Sequence, residues 1–357
     1  MRIEIKIIEQ NHRRESYVMS PIIDAIYKMI EETYLEYREI ILENPIQELT
    51  DNDVLGEFLT YILAYPKGIE TPIVHIQDSK AKREEKYELE FSGCPIVCFS
   101  GGVDSTGALL HLLDIRKKPI ALWCDYGQPY NKPEKSVVEK ISHQLDVPLI
   151  EAKIDLEKLI MLGKERFGHV FPARNLLIAA IALAFSPSEI VLAGLCDELV
   201  VPDKSIRMYN EFTKIFQVSL YSPFIKMTKT DVLCVWKQKW SKILDANDTV
   251  SCYSDNGNCQ DCSSCAKREI AMIASGYATQ YPIVFTNQAQ LIETHWFSRI
   301  DDFIPERRTD ILIALFQFRN RLTETLRVLV DTYYEKYEDE VKMRQNHLKK
   351  LRDIAYE

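Results

Sequence analysis

Apolar and polar positions alternate at the start of the chain: Ile3, Ile5 and Ile7 are separated by Glu4 and Lys6, the period of a half-buried strand. From Pro21 the period lengthens to that of a helix, with Ile22, Ile26, Ile30 and Tyr34 on one stripe and proline at a favoured first position. A second apolar helix is expected over residues 54–65. Short strands are expected over 71–76 and 87–91, flanking a charged turn at 80–86. Residues 1–92 therefore read as a small α+β module without obvious chemistry.

Between residues 93 and 278 short apolar runs alternate with helical stretches. Strands are expected over 95–99, 119–123, 148–152 and 189–193, and helices over 106–114, 132–145 and 175–185. That rhythm predicts βαβ units and an α/β fold, a parallel sheet with helices on both faces. Ligands of such sheets bind beyond the carboxyl ends of the strands, so the loops after Phe99, Trp123 and Ala193 are where chemistry is expected. Residues 279–357 read as a C-terminal helical region. Ile311, Leu315, Phe318, Leu322, Leu326 and Leu329 follow one helical stripe, and beyond Asp331 the chain becomes a charged, solvated packing helix.

Composition narrows the class. A length of 357 residues allows about two cores, and the net charge of -9 counts against a general nucleic-acid or anionic-membrane surface. The first residues are too short and too charged for a signal peptide, and no apolar run reaches the roughly 18 to 20 residues of a membrane span, so a cytoplasmic protein is expected. Of nine cysteines, five (Cys94, Cys98, Cys124, Cys196 and Cys234) lie in apolar surroundings and read as buried thiols. The other four, Cys252, Cys259, Cys262 and Cys265, crowd into one segment. Four soft ligands at that spacing suit a closed, structural Zn²⁺ site, with an iron–sulfur centre as the competitor.

The sharpest signal is Ser100-Gly-Gly-Val-Asp-Ser-Thr106 between a strand and a helix. Gly101 and Gly102 permit close backbone approach to a polyphosphate, and the following helix offers its N–H groups and positive dipole end. Ser100, Ser105 and Thr106 add hydroxyls, and Asp104 either binds Mg²⁺ or braces the loop. No Gly-Lys-Ser/Thr ending follows, so this is not a Walker loop. Arg174, beside Asn175 at a helix start, suits a bidentate hold on phosphate or carboxylate better than a surface ion pair. Lys229 reads as a phosphate contact or a solvated lysine, and Asp203 as an acceptor for a guanine-like edge or a turn cap.

The loop resembles that of the PP-loop ATP pyrophosphatases, of the adenine nucleotide alpha hydrolase-like fold. Asp125-Tyr126-Gly127-Gln128 narrows the resemblance to the 7-cyano-7-deazaguanine synthase (QueC) family of queuosine biosynthesis. Phe171-Pro-Ala-Arg-Asn-Leu-Leu177, Gly194-Leu-Cys-Asp-Glu198, Pro202-Asp203, Ser222-Pro-Phe224, Thr228-Lys-Thr-Asp231 and Ser251-Cys-Tyr253 carry it further, over residues 94–276. The resemblance implies ATP, Mg²⁺ and Zn²⁺, with the four cysteines on the zinc. It implies 7-carboxy-7-deazaguanine as substrate, whose carboxylate is adenylated with loss of pyrophosphate and then attacked by an amine. A homodimer is the family's usual form.

Three departures shape the expectation. Pro129-Tyr130 stands where the family has a basic pair, Lys204-Ser205 and extra residues enlarge the nucleobase loop, and modules are added at both ends. QueC-like paralogues of antiphage defence, in the Qat and type IV CBASS systems, carry such additions. The favoured expectation is thus a ligase that joins the activated carboxylate to a protein amine. The alternatives are a housekeeping synthase using ammonia, a PP-loop tRNA thiolase, which the acidic balance disfavours, and a non-enzymatic scaffold, which the intact loop disfavours.

Overall fold

The computed structural model describes residues 3–9, 12–18, 20–35, 38–43, 45, 52–64, 71–77, 92–156, 159, 173–199, 201–255 and 257–353. A seven-stranded sheet forms the centre. Its strands are β1 (Ile3–Glu9), β2 (His12–Val18), β5 (Pro95–Cys98), β6 (Ile120–Asp125), β7 (Leu149–Lys153), β8 (Glu189–Val191) and β9 (Ser219–Tyr221), in the order β2-β1-β7-β6-β5-β8-β9. From β7 to β9 neighbours run parallel; β1 joins antiparallel to β7, with Ile7 opposite Ile150. A second, two-stranded parallel sheet pairs β3 (Glu39–Glu43) with β4 (Ile73–Gln77).

The parallel strands are apolar throughout because both faces are covered. On β5, Ile96 and Cys98 point into a core with α1 (Pro21–Tyr34), α5 (Arg174–Leu183) and α6 (Ile206–Phe216). Val97 and Phe99 point into the opposite core with α3 (Val103–Asp114), α4 (Asn131–Leu145) and α7 (Lys229–Lys239). A third core holds α8 (Ser263–Ala274) together with α9 (Pro305–Phe316), α10 (Glu324–Lys336) and α11 (Glu338–Asp353).

The strand-and-helix alternation and the parallel sheet are as expected. The alternating isoleucines of β1 do not form a sheet within residues 1–92 alone; through β7 they extend the central one. The second helix expected in that region is α2 (Asn52–Leu63), which packs against β4. The stripe from Ile311 to Leu329 is broken. It spans α9 and α10, with a turn at Arg319–Arg321 and Thr323 capping the second helix. The expected strand at 87–91 and turn at 80–86 lie outside the described residues, as do Phe171, Pro172 and Asn256. Among the described residues, no helix is long and apolar enough to cross a membrane.

Candidate active site and cysteine cluster

The order β7-β6-β5-β8-β9 reverses direction between β5 and β8. Both neighbours of β5 leave their carboxyl ends on one edge, the topological switch point where α/β sheets bind ligands. A cavity of about 280 Å³ opens there, reached by the ends of β5, β6 and β8.

The loop after β5 forms its floor. Gly101 has φ +70°, and a Cβ at that position would stand 2.8 Å from Val137 Cγ1, so a side chain is excluded both by backbone conformation and by α4. The Ser100 N–H donates to Ser105 Oγ at 3.2 Å, and the Ser105 hydroxyl also lies 3.3 Å from the Gly102 carbonyl oxygen. The loop is thereby folded over the first turn of α3. The Val250 N–H donates to the Gly101 carbonyl at 2.9 Å and ties the loop to the segment that leads into the cysteines.

Asp104 sits in the first turn of α3 with one carboxylate oxygen bonded to the Lys229 ammonium. Its other oxygen, Oδ1, is buried without a hydrogen-bond partner among the described residues. Burial pushes the carboxyl above the usual aspartate range, while Lys229 pulls it back. Lys229 is the first residue of α7, placed by a capping box: Thr228 Oγ1 accepts from the Asp231 N–H, and Asp231 accepts from the Thr228 N–H at 2.9 Å.

The opposite wall carries Arg174, the first residue of α5, near Tyr130, Tyr126, Tyr253 and Asp203. Burial works against the guanidinium charge, but the facing phenols and Asp203 outweigh it. Tyr130 and Tyr253 meet edge to face, with centroids 6.0 Å apart, and close the cavity beside Arg174. Below them Glu134 accepts from Trp123 Nε1 at 3.3 Å and from Asn131 Nδ2 at 3.1 Å. Burial raises its carboxyl to about 7.

The loop after β8 supplies the third wall. Gly194 lets the Tyr209 hydroxyl approach closely; a Cβ there would lie 2.5 Å from it. Glu198 and Lys204 pair at 3.1 Å within the cavity lining. Lys267 and Ser264, one turn apart on α8, complete the rim, and burial, aided by Arg307, lowers the Lys267 ammonium.

Of the site residues singled out in the sequence, Ser100, Gly102, Asp104, Ser105, Tyr126, Arg174, Asn175, Gly194, Lys229 and Cys252 line this cavity. The rest shape it from behind. Val103 and Thr106 are fully buried under the loop. Asp125 accepts from the Gly127 N–H at 2.9 Å, and Asn131 accepts from the N–H groups of Tyr126 and Gln128, which fixes the turn after β6. Asp203 does not face an open edge: its Oδ2 accepts from the Asn175 N–H at 3.3 Å, and the Asn175 amide donates to the Asp203 carbonyl.

Tyr130, Glu134, Glu198, Lys204, Tyr253 and Lys267 also line the cavity. Glu198 and Tyr253 stand in the sequence only as members of family motifs and Tyr130 and Lys204 only as departures from them, while Glu134 and Lys267 carry no sequence signal of a site.

The cysteines converge beside this cavity. Their four sulfur atoms lie within 4.8 Å of one another, with Cys259 and Cys265 4.0 Å apart. A tetrahedral ion with bonds of about 2.3 Å holds thiolates about 3.8 Å apart, so the set fits a single closed ion; a multi-iron cluster spreads its ligands farther. Backbone N–H groups of Ser254 and Cys259 point at Cys252 Sγ, that of Asp261 at Cys259 Sγ and that of Cys265 at Cys262 Sγ, at 3.3 to 3.4 Å. The thiols are coupled: the hydrogen bond between Cys262 and Cys265 pulls the Cys262 thiol down and pushes that of Cys265 up. The five remaining cysteines are free thiols, and burial raises Cys98, Cys124, Cys196 and Cys234.

Comparison with known proteins agrees with this geometry. The model of the family described as queuosine biosynthesis protein QueC matches residues 95–276, which is half of the chain and contains the loop, the cavity walls and all four cysteines.

The chain belongs to the QueC family.

Among similar proteins is the 7-cyano-7-deazaguanine synthase of Methanocaldococcus jannaschii, 26% identical over 220 residues, covering 51% of this chain and 95% of that one. The synthase of Psychromonas ingrahamii is 26% identical over 51% of this chain and 93% of its own. That of Sulfolobus acidocaldarius is 25% identical over 65% of this chain and 59% of its own. As a QueC-family PP-loop protein the chain is an ATP-dependent enzyme.

Proposed function

We propose that this enzyme is a 7-cyano-7-deazaguanine synthase: it adenylates the carboxylate of 7-carboxy-7-deazaguanine and passes the activated acyl group to ammonia. The carrying observation is the Ser100–Ser105 loop, with Asp104 bonded to Lys229, facing Arg174 across a cavity at the switch point. The names borne by the similar proteins support the nitrile product.

In this reading the N–H groups of the loop and first turn of α3, with the hydroxyls of Ser100 and Ser105, hold the ATP phosphates. Lys229 neutralises charge on the departing pyrophosphate. The partnerless Oδ1 of Asp104 is suited to Mg²⁺, which would screen the phosphate charge when bound. Arg174 holds the substrate carboxylate in line with the α-phosphorus, and Tyr130 and Tyr253 supply flat apolar walls for the base. The carboxylate oxygen then attacks the α-phosphorus, pyrophosphate leaves, and an acyl adenylate forms. Attack by ammonia releases AMP and gives the amide; a second ATP activates the amide oxygen, and loss of that oxygen with AMP yields the nitrile. Glu134, with a carboxyl near neutrality, is placed to take protons from the attacking nitrogen. Cys252, Cys259, Cys262 and Cys265 would hold Zn²⁺, which contributes structure: it fixes the loop bearing Ser251 and Tyr253 against the cavity.

A protein amine as acceptor is the second reading, and it rests on the added N-terminal module, which packs on the site loop. The enlarged nucleobase loop is held by the N-terminal module: the Tyr61 hydroxyl donates to Ser205 Oγ at 2.7 Å, and Arg207 stacks over Tyr61 at 4.3 Å. Incubation with ATP, Mg²⁺ and the carboxylate, with and without ammonia, separates the two by mass analysis. The cyano product with ammonia alone supports the synthase; AMP and pyrophosphate without any cyano product would overturn it.

A further inference from the structure

The C-terminal helices reach the back of the Lys229 turn. Arg344, on α11, is 5% exposed, and its guanidinium bonds three groups at once. Its Nη1 lies 2.8 Å from Asp231 Oδ1, its Nε donates to Asp310 Oδ1 at 2.8 Å, and its Nη2 donates to Asp310 Oδ2 at 3.0 Å and Thr228 Oγ1 at 2.7 Å. Asp310, on α9, closes the ring by accepting from the Thr228 hydroxyl at 3.1 Å, and His347 lies 3.2 Å from the same Asp231 oxygen. Thr228 and Asp231 are the two members of the capping box that starts α7, so every group in this cluster bears on the backbone immediately beside Lys229. The matched family region ends at residue 276, before Asp310, Arg344 and His347.

The geometry points to Arg344 and Asp310 as positioning residues for the nucleotide site, through which the C-terminal helices hold Lys229 against Asp104 and so tune ATP binding. The inference rests on the proposed phosphate contact of Lys229. Two considerations distinguish it from ordinary packing. A buried guanidinium with four polar contacts has one geometry, whereas apolar contacts along α11 tolerate slippage. In addition, Val341 and Leu348 flank Arg344 on the buried face of α11 and give it an apolar anchorage that is separate from the charged ring.

The test is calorimetric titration of the full chain with the magnesium complex of α,β-methylene ATP. Arg344→Met is expected to weaken binding about ten-fold, the worth of one misplaced charge-assisted contact. Arg344→Lys, which keeps charge but loses the fork, is expected to weaken it about three-fold, a partial rescue. Leu348→Ala, which loosens α11 without touching the ring, is expected to melt earlier yet bind within two-fold of the native protein. Native-like affinity in Arg344→Met overturns the inference, as does an equal loss in Leu348→Ala; if Arg344→Met does not fold, native-like affinity in Arg344→Lys does so. Binding by the native protein with unchanged variants refutes the positioning role alone. No binding by the native protein refutes the ATP site and this inference together.

Discussion

Asp104 and Lys229 are 125 residues apart in sequence and bonded in the fold, each at the first turn of a helix whose amino end faces the same cavity. One oxygen of Asp104 takes the ammonium and the other remains without a protein partner among the described residues. In the proposed reading that second oxygen takes Mg²⁺.

The pair sets a pH dependence. Asp104 must be ionised to pair with Lys229 and, in the proposed reading, to take Mg²⁺; burial raises its carboxyl above the ordinary value of 3.8 against the pull of Lys229, with Glu198 and Asp197 raising it further. Activity should therefore fall on the acid side through a midpoint above 3.8. Lys229→Met removes the lowering influence, so its acid limb should move to higher pH, alongside a loss of about 100-fold in turnover. Rates of pyrophosphate release across pH check both; an unshifted acid limb contradicts the pairing.

Glu134 gives a stability signature of opposite sense to that of a salt-bridged acid. Its carboxyl rises from an ordinary 4.5 to about 7 through burial, so the folded chain binds more protons than the unfolded chain between those values. Its contribution to stability is thus present at low pH and is lost as pH rises through that window. Glu134→Gln should flatten the fall in melting temperature between pH 4.5 and 7, measured by calorimetry. A variant whose melting curve keeps the native slope contradicts the burial argument.

At Gly101 the loop tolerates no side chain. Gly101→Ala places a Cβ at φ +70° and 2.8 Å from Val137 Cγ1. The expected cost is about 1–3 kcal/mol of backbone strain, with further loss from displacing α4. Equilibrium denaturation measures it, and ATP affinity should fall with it because the Gly101 carbonyl also holds Val250.

Much of this candidate site is legible in the sequence. The strand, the Gly-Gly loop and the helix after it declare themselves because a polyphosphate cradle demands small residues and hydroxyls in consecutive positions. The four cysteines declare themselves because one ion gathers ligands from one short segment. Lys204 and Glu198 did not, since their pairing depends on the path of an enlarged loop. Arg344 was the least visible: on a helix as charged as α11 nothing in the spacing separates a solvated arginine from one that is 5% exposed, and only the arrival of Asp231 and Asp310 from two other helices buries it. β9 has three residues, too few for a period to show. The stripe from Ile311 to Leu329 kept helical phase across a break, because both helices pack on the same core.

Loss of one cysteine ligand should act on structure before chemistry. Cys262→Ser is expected to lower zinc content from one ion per chain towards none, with a lower melting temperature and loss of the Ser251–Tyr253 wall. Metal analysis beside a thermal melt checks it. Full zinc occupancy and native stability in the variant would contradict a structural site.

The central claim is that the carboxylate oxygen of the substrate attacks the α-phosphorus of ATP at the Ser100–Ser105 loop. Supplying 7-carboxy-7-deazaguanine labelled with ¹⁸O in its carboxylate, with ATP, Mg²⁺ and ammonia, tests this directly. Adenylation predicts AMP that carries one ¹⁸O, together with unlabelled pyrophosphate. Unlabelled AMP, or ADP and labelled phosphate in its place, would contradict it.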